Sequence, residues 1–178
     1  MRPILMIMLL AASLGLAPLA FGNNGDGNMP DIPHKTQPDE KTLIGGQPSK
    51  EQFREMQAQG VQTVVNFRGS DEFDDWSEAD VVTDLGMLYI HIPVAGADGL
   101  TRQAVSAFDR AVSAAGDEPV LYHCASGNRV GAMFALRAAL IEDHSVEEAM
   151  EIGRKHGMTS LAEPVQEMLE SGQVPDAE

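Results

Sequence analysis

The sequence predicts an α/β domain with a mostly parallel central sheet, helices on both faces and extra helices at the C-terminal end. Short β-branched segments alternate with segments of helical periodicity up to residue 141, and only helical patterns follow. Alternation of this kind predicts parallel strands whose carboxyl ends form the ligand side of the sheet. The length of 178 residues fits one domain with additions.

The first half of the domain is predicted to contain three strands and two helical segments. Residues 43–48 indicate a short strand and a turn, and Ser49 with Gln52 forms a capping box for a helix that ends at Gly60. A β-branched strand follows at residues 61–67. Residues 72–85 predict an acidic helix or a loop and helix, and residues 87–92 predict a strand that ends before Pro93.

The second half is predicted to contain one strand and four helices. Residues 101–115 place apolar side chains on one helical face, residues 119–123 form an apolar strand, and residues 131–141 form the next helix. Two further capping boxes, Ser145 with Glu148 and Ser160 with Glu163, predict helices that end near residues 156 and 171.

The two ends of the chain are predicted to lie outside the domain. Arg2 precedes an apolar run at residues 4–20, and small residues follow it, which predicts a secretory signal peptide at residues 1–22. Residues 23–41 predict a flexible tether, residues 42–172 the domain, and residues 173–178 a disordered tail. We therefore expect a secreted or periplasmic protein that contacts the membrane only through its signal peptide.

Composition excludes several classes of function. Twenty-seven acidic residues against twelve lysines and arginines give a formal net charge of −15, so we expect no nucleic-acid partner. The five histidines show no spacing typical of metal ligands, and we expect no metal and no organic cofactor. Nothing in the sequence indicates an oligomeric state.

The most informative segment is residues 123–129, His-Cys-Ala-Ser-Gly-Asn-Arg, which joins the fourth strand to the following helix. Backbone amides at a helix start, the helix dipole and Arg129 would bind an oxyanion and favour the thiolate of Cys124, the only cysteine. A thiolate over an anion site is a nucleophile. The alternative is that a lone cysteine at a strand end is only a small buried apolar residue.

Four segments in the same order resemble the beta-lactamase-hydrolase-like phosphatase family, a bacterial branch related to dual-specificity tyrosine phosphatases. They lie at residues 45–49, 60–68, 89–94 and 123–129, with the sequences GGQPS, GVQTVVNFR, YIHIPV and HCASGNR. The resemblance implies the fold of cysteine-dependent phosphatases and a phosphorylated substrate, either a protein or a small molecule.

The resemblance also implies roles for individual residues. Cys124 would attack phosphorus to form a phosphocysteine, and the loop residues would bind the oxyanion: Ala125, Ser126, Gly127, Asn128 and Arg129. Asp98, between the third strand and the next helix, would protonate the leaving oxygen, or would be only a turn aspartate before a glycine. His123 would support the loop, and Arg68 would be an accessory anion ligand or would pair with Asp71 or Glu72.

The loop also departs from the phosphatase pattern. Four residues separate Cys124 from Arg129, whereas tyrosine phosphatases have five, and Val130 stands where a hydroxyl residue is common. A loop of this length resembles that of rhodanese sulfurtransferases, in which the cysteine forms a persulfide. Three functions therefore stay open: phosphoester hydrolysis, sulfur transfer through Cys124, and non-catalytic binding of phosphate by a pseudophosphatase.

Overall fold

The structure is a computed structural model that describes residues 29–73 and 75–176. Within them, one sheet contains four parallel strands in the order β1-β4-β2-β3. The strands are β1 (Thr42–Gly45), β2 (Thr63–Asn66), β3 (Leu88–His91) and β4 (Val120–His123). The predicted α/β class is confirmed. The signal peptide predicted at residues 1–22 lies outside the described residues, and no helix inside them is long and apolar enough to cross a membrane.

Helices connect the strands and continue after the last of them. They are α1 (Lys50–Ala58), α2 (Glu78–Asp84), α3 (Arg102–Ala115), α4 (Asn128–Leu140), α5 (Val146–Lys155) and α6 (Ala162–Ser171). The capping boxes predicted at Ser49 and Ser145 are both present. The one predicted at Ser160 is wrong. The N-cap residue of α6 is Leu161, which makes no side-chain cap, and the Ser160 hydroxyl accepts a hydrogen bond from Asn128 instead.

The region predicted as an acidic helix over residues 72–85 is divided into two parts. A short 3-10 helix covers Ser70–Glu72, and α2 begins only at Glu78 after an irregular segment. The Ser77 hydroxyl caps α2 by accepting a hydrogen bond from the Asp80 amide. This division brings Glu72 and Glu78 to different places at the edge of the sheet, and both contribute to the candidate site.

Each face of the sheet has its own apolar core. The side chains of Val120, Tyr122 and Cys124 belong to the larger core, which also contains buried residues of α3 and α4. Leu121 lies in the smaller core with Phe53 of α1 and Val82 of α2. Because side chains alternate along a strand, His123 and Cys124 emerge on opposite faces of the sheet.

Packing extends past both predicted limits of the domain. Ile32, in the segment predicted to be a tether, is 3% exposed, and Thr36 forms an antiparallel bridge with Ile44. In the predicted tail, Val174 is 5% exposed, and the Arg102 amide donates to the carbonyl of Pro175 at 2.8 Å. Ile32 and Val174 therefore pack against the domain, although each is an apolar residue within a polar stretch of sequence.

Candidate active site

The predicted anion loop lies at the carboxyl end of β4, where it was expected. Gly127 has a φ of +80°, a left-handed conformation that favours glycine, and it is the N-cap of α4. The helix begins at Asn128, three residues before the predicted start at Gly131. Arg129 therefore belongs to the first turn of α4, and the positive end of the helix dipole faces the loop.

The thiol of Cys124 is enclosed by the amides of its own loop. Its Sγ accepts hydrogen bonds from the Gly127 amide at 3.1 Å and the Ser126 amide at 3.5 Å, and the residue is 1% exposed. Ala125 and Ser126 form the exposed tip of the loop. Amide donors aimed at a sulfur atom stabilise negative charge on it, so this geometry supports a thiolate nucleophile.

Arg129 is held by a carboxylate and two carbonyls. Its Nη1 and Nη2 bind the two carboxylate oxygens of Glu72 at 2.5 and 2.7 Å, and Nη1 also reaches the carbonyls of Phe67 and Val94. The hydrogen bond with Glu72 is the main cause that raises the pKa of Arg129, and the negative charge of Cys124 adds to it. A side-chain hydrogen bond with Cys124 also raises the pKa of Arg129, so the guanidinium lies beside the thiol.

Glu72 is therefore the residue that positions Arg129, and it should respond to acid. The Arg129 hydrogen bond lowers the pKa of Glu72 from 4.5 to about 2. A lowered pKa in the folded state means that the ionised carboxylate stabilises the fold, fully above about pH 4.5 and progressively less as the pH falls towards 2.

We expect the free energy of unfolding of the wild type to exceed that of Glu72→Gln near neutral pH, with the difference shrinking as the pH falls from about 4.5 to 2. Urea denaturation at a series of pH values measures this. A difference that stays constant through that window would show that the ion pair does not stabilise the fold. The glutamine retains an oxygen for the Gly69 amide but replaces the other oxygen by an amide donor, so the variant removes the charge and one of the two hydrogen bonds from Arg129.

His123 lies in a buried polar network on the α1 and α2 side of the sheet. Its Nε2 is 2.8 Å from Oε1 of Glu78, and its ring packs edge-on against Phe53. Glu78 also accepts from Asn66 and Gln47, at 3.2 and 2.7 Å. Burial alone raises the pKa of Glu78, but the hydrogen bonds and charge of its partners outweigh burial and lower it. His123 can therefore support the loop only through the backbone, from the face opposite the thiol.

The side chain of Asn128 binds groups outside the loop. Its Oδ1 accepts from the amides of Thr159 and Leu161 at 2.7 and 3.3 Å, and its Nδ2 donates to the Ser160 hydroxyl at 2.8 Å. The side chain thus ties the loop to the segment between α5 and α6, and only its backbone amide remains for an oxyanion. An asparagine side chain that bonds to backbone groups distant in sequence leaves no local pattern by which to predict it.

Two further predicted residues, Asp98 and Arg68, lie among groups outside the loop. Asp98 is exposed, and within the described residues it forms no hydrogen bond or ion pair. It lines a cavity of about 850 Å³ beside β3, which Cys124 and Arg129 do not line. Arg68 is 8% exposed and donates to Oε1 of Gln47, so it belongs to the network around Glu78. No cluster of metal ligands is found among the described residues.

Comparisons with known proteins show the family to which the chain belongs. Residues 27–170 match the family described as DSP-PTPase phosphatase fused to NAD+ kinase. A beta-lactamase hydrolase-like protein of Xylella fastidiosa (strain Temecula1) is 28% identical over 122 residues, which cover 66% of this chain and 28% of that protein. The chain therefore spans less than a third of the length of this curated relative.

Solved structures share the fold. A DUF442 protein of Shewanella putrefaciens CN-32 has a TM-score of 0.60 at 24% identity, and the match covers 80% of this chain and 90% of that one. The core catalytic domain of the PP-IP phosphatase SIW14 from S. cerevisiae has a TM-score of 0.61 at 12% identity, with coverages of 80% and 87%. The resemblance stated from the four sequence segments is confirmed: the chain belongs to the dual-specificity-type, cysteine-dependent phosphatase family described as DSP-PTPase phosphatase fused to NAD+ kinase.

Proposed function

We propose that this protein is an exported phosphatase that hydrolyses phosphomonoesters, such as phosphotyrosine, through a phosphocysteine at Cys124. The observation on which this depends is that two loop amides surround the thiol while Glu72 fixes Arg129 beside it. That arrangement supplies both a nucleophile and donors for the oxygens of a phosphoryl group. Export rests on the signal-peptide pattern of residues 1–22.

The reaction has two steps. The thiolate of Cys124 attacks phosphorus, the bond from phosphorus to the leaving oxygen breaks, and Asp98 donates a proton to that oxygen. Water then attacks the phosphocysteine and gives up a proton to the Asp98 carboxylate, the phosphorus–sulfur bond breaks, and phosphate and the thiolate are released. The loop amides and Arg129 bind the phosphoryl oxygens in both steps. Val130 supplies no hydroxyl to assist the second step, so we expect the phosphocysteine to accumulate.

Mass spectrometry of the intact protein tests the phosphocysteine directly. After brief exposure to an aryl phosphate and acid quenching, we expect a mass gain of one phosphoryl group on Cys124, which is absent in Cys124→Ser. Sulfur transfer is the competing function, favoured by the four-residue spacer of the loop. A gain of one sulfur atom after exposure to thiosulfate, without a phosphoryl adduct, would replace the proposal by sulfur transfer.

If neither adduct nor turnover occurs, phosphate binding without catalysis is the better account. A pseudophosphatase of this kind would bind a phosphopeptide with similar affinity in the wild type and in Cys124→Ser, because the loop amides and Arg129 remain in both. Isothermal titration of both proteins distinguishes this outcome from an inactive preparation, which would bind nothing.

Asp98→Asn tests the proposed general acid. We expect kcat to fall by about a hundredfold or more with a phenyl phosphate, whose leaving oxygen needs a proton, and by much less with a nitrophenyl phosphate. Asp176→Asn is the matched control, because Asp176 lines the same cavity. Equal losses for both leaving groups, or equal losses in both variants, would exclude Asp98 as the acid.

A further inference from the structure

A second cavity lies beside the candidate active site, and its walls combine aromatic rings with carboxylates. We call this cavity of about 580 Å³ the aromatic groove. Its lining residues are Phe73, Asp75, Trp76, Ser77, Glu78, Ala79, Tyr89 and His91. We infer that the aromatic groove binds a lysine or arginine side chain that flanks the phosphorylated residue of a peptide substrate. This inference rests on the proposed function and specifies its substrate class.

The aromatic groove is close enough to the anion loop for one peptide to reach both. Phe73 directly follows Glu72, which binds Arg129. His91 ends β3, and its Nε2 contacts the carbonyl of Arg68 at 2.8 Å. Since β2 lies between β3 and β4 in the sheet, the ends of β3 and β4 are about 10 Å apart. An extended peptide covers about 10 Å in three residues, so a basic residue about three positions from the phosphorylated one would reach the groove.

The lining of the aromatic groove suits a cation. Phe73 is 44% exposed, and its ring centroid lies 5.1 Å from that of His91. One face of the Trp76 ring is already occupied by an ammonium group of this chain, because Lys50 Nζ lies 5.1 Å from the ring centroid, so the exposed ring of Phe73 is the one left for a ligand cation. Aromatic rings attract cations through the negative potential of their faces, and more strongly where water is excluded.

Asp75 supplies the negative charge. The carboxylate of Glu78 is committed to His123, Asn66 and Gln47. Asp75 is exposed, and no hydrogen bond or ion pair joins it to another residue of the described chain. Its charge is therefore available to a ligand, whereas that of Glu78 is not.

The charge of the whole chain favours the same substrates. A formal net charge of −15 repels a phosphopeptide, whose phosphoryl group is itself anionic. Basic residues beside the phosphorylated position would offset that repulsion and use the aromatic groove at the same time. A peptide with acidic flanks would face repulsion from both the overall field and Asp75.

Paired phosphotyrosine peptides test the inference. Two peptides differ only in having lysine or glutamate three positions from the phosphotyrosine, on either side in separate pairs. For the wild type we expect kcat/KM to be about tenfold higher for the lysine peptide of at least one pair, with the ratio falling as salt is added. Asp75→Asn should reduce that ratio several-fold, and Asp75→Lys should reverse it.

The matched control is Asp84→Asn, because Asp84 is also an exposed carboxylate of the same region but lies at the opposite end of α2 from the groove. It should leave the ratio unchanged. Equal kcat/KM for both members of every pair, or equal effects of the Asp75 and Asp84 variants, would overturn the inference.

Failure of the proposed function is a separate result. If no peptide is hydrolysed and no phosphocysteine forms, the same pairs are compared by isothermal titration with the Cys124→Ser protein. A preference for the lysine peptide that Asp75→Lys reverses would support the aromatic groove even without catalysis. Equal affinities, or no binding of either peptide, would refute it.

Discussion

Arg129→Ala is expected to lower kcat with an aryl phosphate by about a hundred- to a thousandfold, the usual cost of removing one preorganised donor to an oxyanion. Arg129 reaches the site with its Nη atoms already held by Glu72 and by the carbonyls of Phe67 and Val94. The wild type therefore spends little energy in orienting it when substrate binds. Steady-state kinetics with an aryl phosphate measures the loss.

Arg129→Lys is the control that separates charge from geometry. Lysine keeps the positive charge but cannot form the planar, bidentate pair with Glu72, so most of the loss of kcat should remain. Both variants should also raise the pKa of Glu72 from about 2 towards 4.5, which carboxylate NMR titration can follow. Full activity in Arg129→Lys would show that the site requires only a positive charge.

Glu78→Ala is expected to lower the free energy of unfolding by about 1–3 kcal/mol, the range typical of leaving a buried hydrogen-bonding group without its partner. The change would leave the Nε2 of His123 without its partner and would remove one of the two acceptors of the side-chain amides of Asn66 and Gln47. His123 is fully buried, so water cannot replace the lost partner without opening the core. Urea denaturation at neutral pH measures the effect.

Glu78→Gln retains one oxygen acceptor and should cost less than the alanine variant. Glu163→Ala is the surface control, since Glu163 is exposed in the first turn of α6 and forms no hydrogen bond within the described residues. A loss in Glu78→Ala no larger than in Glu163→Ala would show that the buried network contributes nothing to stability. Kinetics of the folded Glu78→Gln protein would then report how far His123 supports the loop.

Local signals were sufficient to predict the sequence of strands and helices along the chain and the place of Cys124 at the end of the fourth strand. The β-branched segments, the capping boxes at Ser49 and Ser145, and a cysteine at a strand end are all contained within a few residues of sequence. The predicted fold class and family are confirmed for that reason. The start of α4 was misplaced because Asn128 and Arg129 have no apolar periodicity, although they occupy its first turn.

The partners of the site residues could not be predicted in the same way. Glu72 and Glu78 lie 57 and 45 residues from Arg129 and His123, and both belong to an acidic segment that resembled a solvated helix. Their carboxylates acquire roles only after the sheet brings its strand ends together. Gln47 is half-buried and donates to Glu78, but no local pattern distinguishes it from a surface glutamine.

The hydrogen bonds of Asn128 determine how short a working fragment of this protein can be. Thr159, Ser160 and Leu161 hold its side chain, and close contact between Gly131 and the backbone of Met158 seals the same junction. A fragment that ends after α4 would keep every residue proposed for chemistry but would lose the scaffold on which the loop rests. The smallest fragment that keeps the loop on this support therefore includes α5 and the segment that leads into α6.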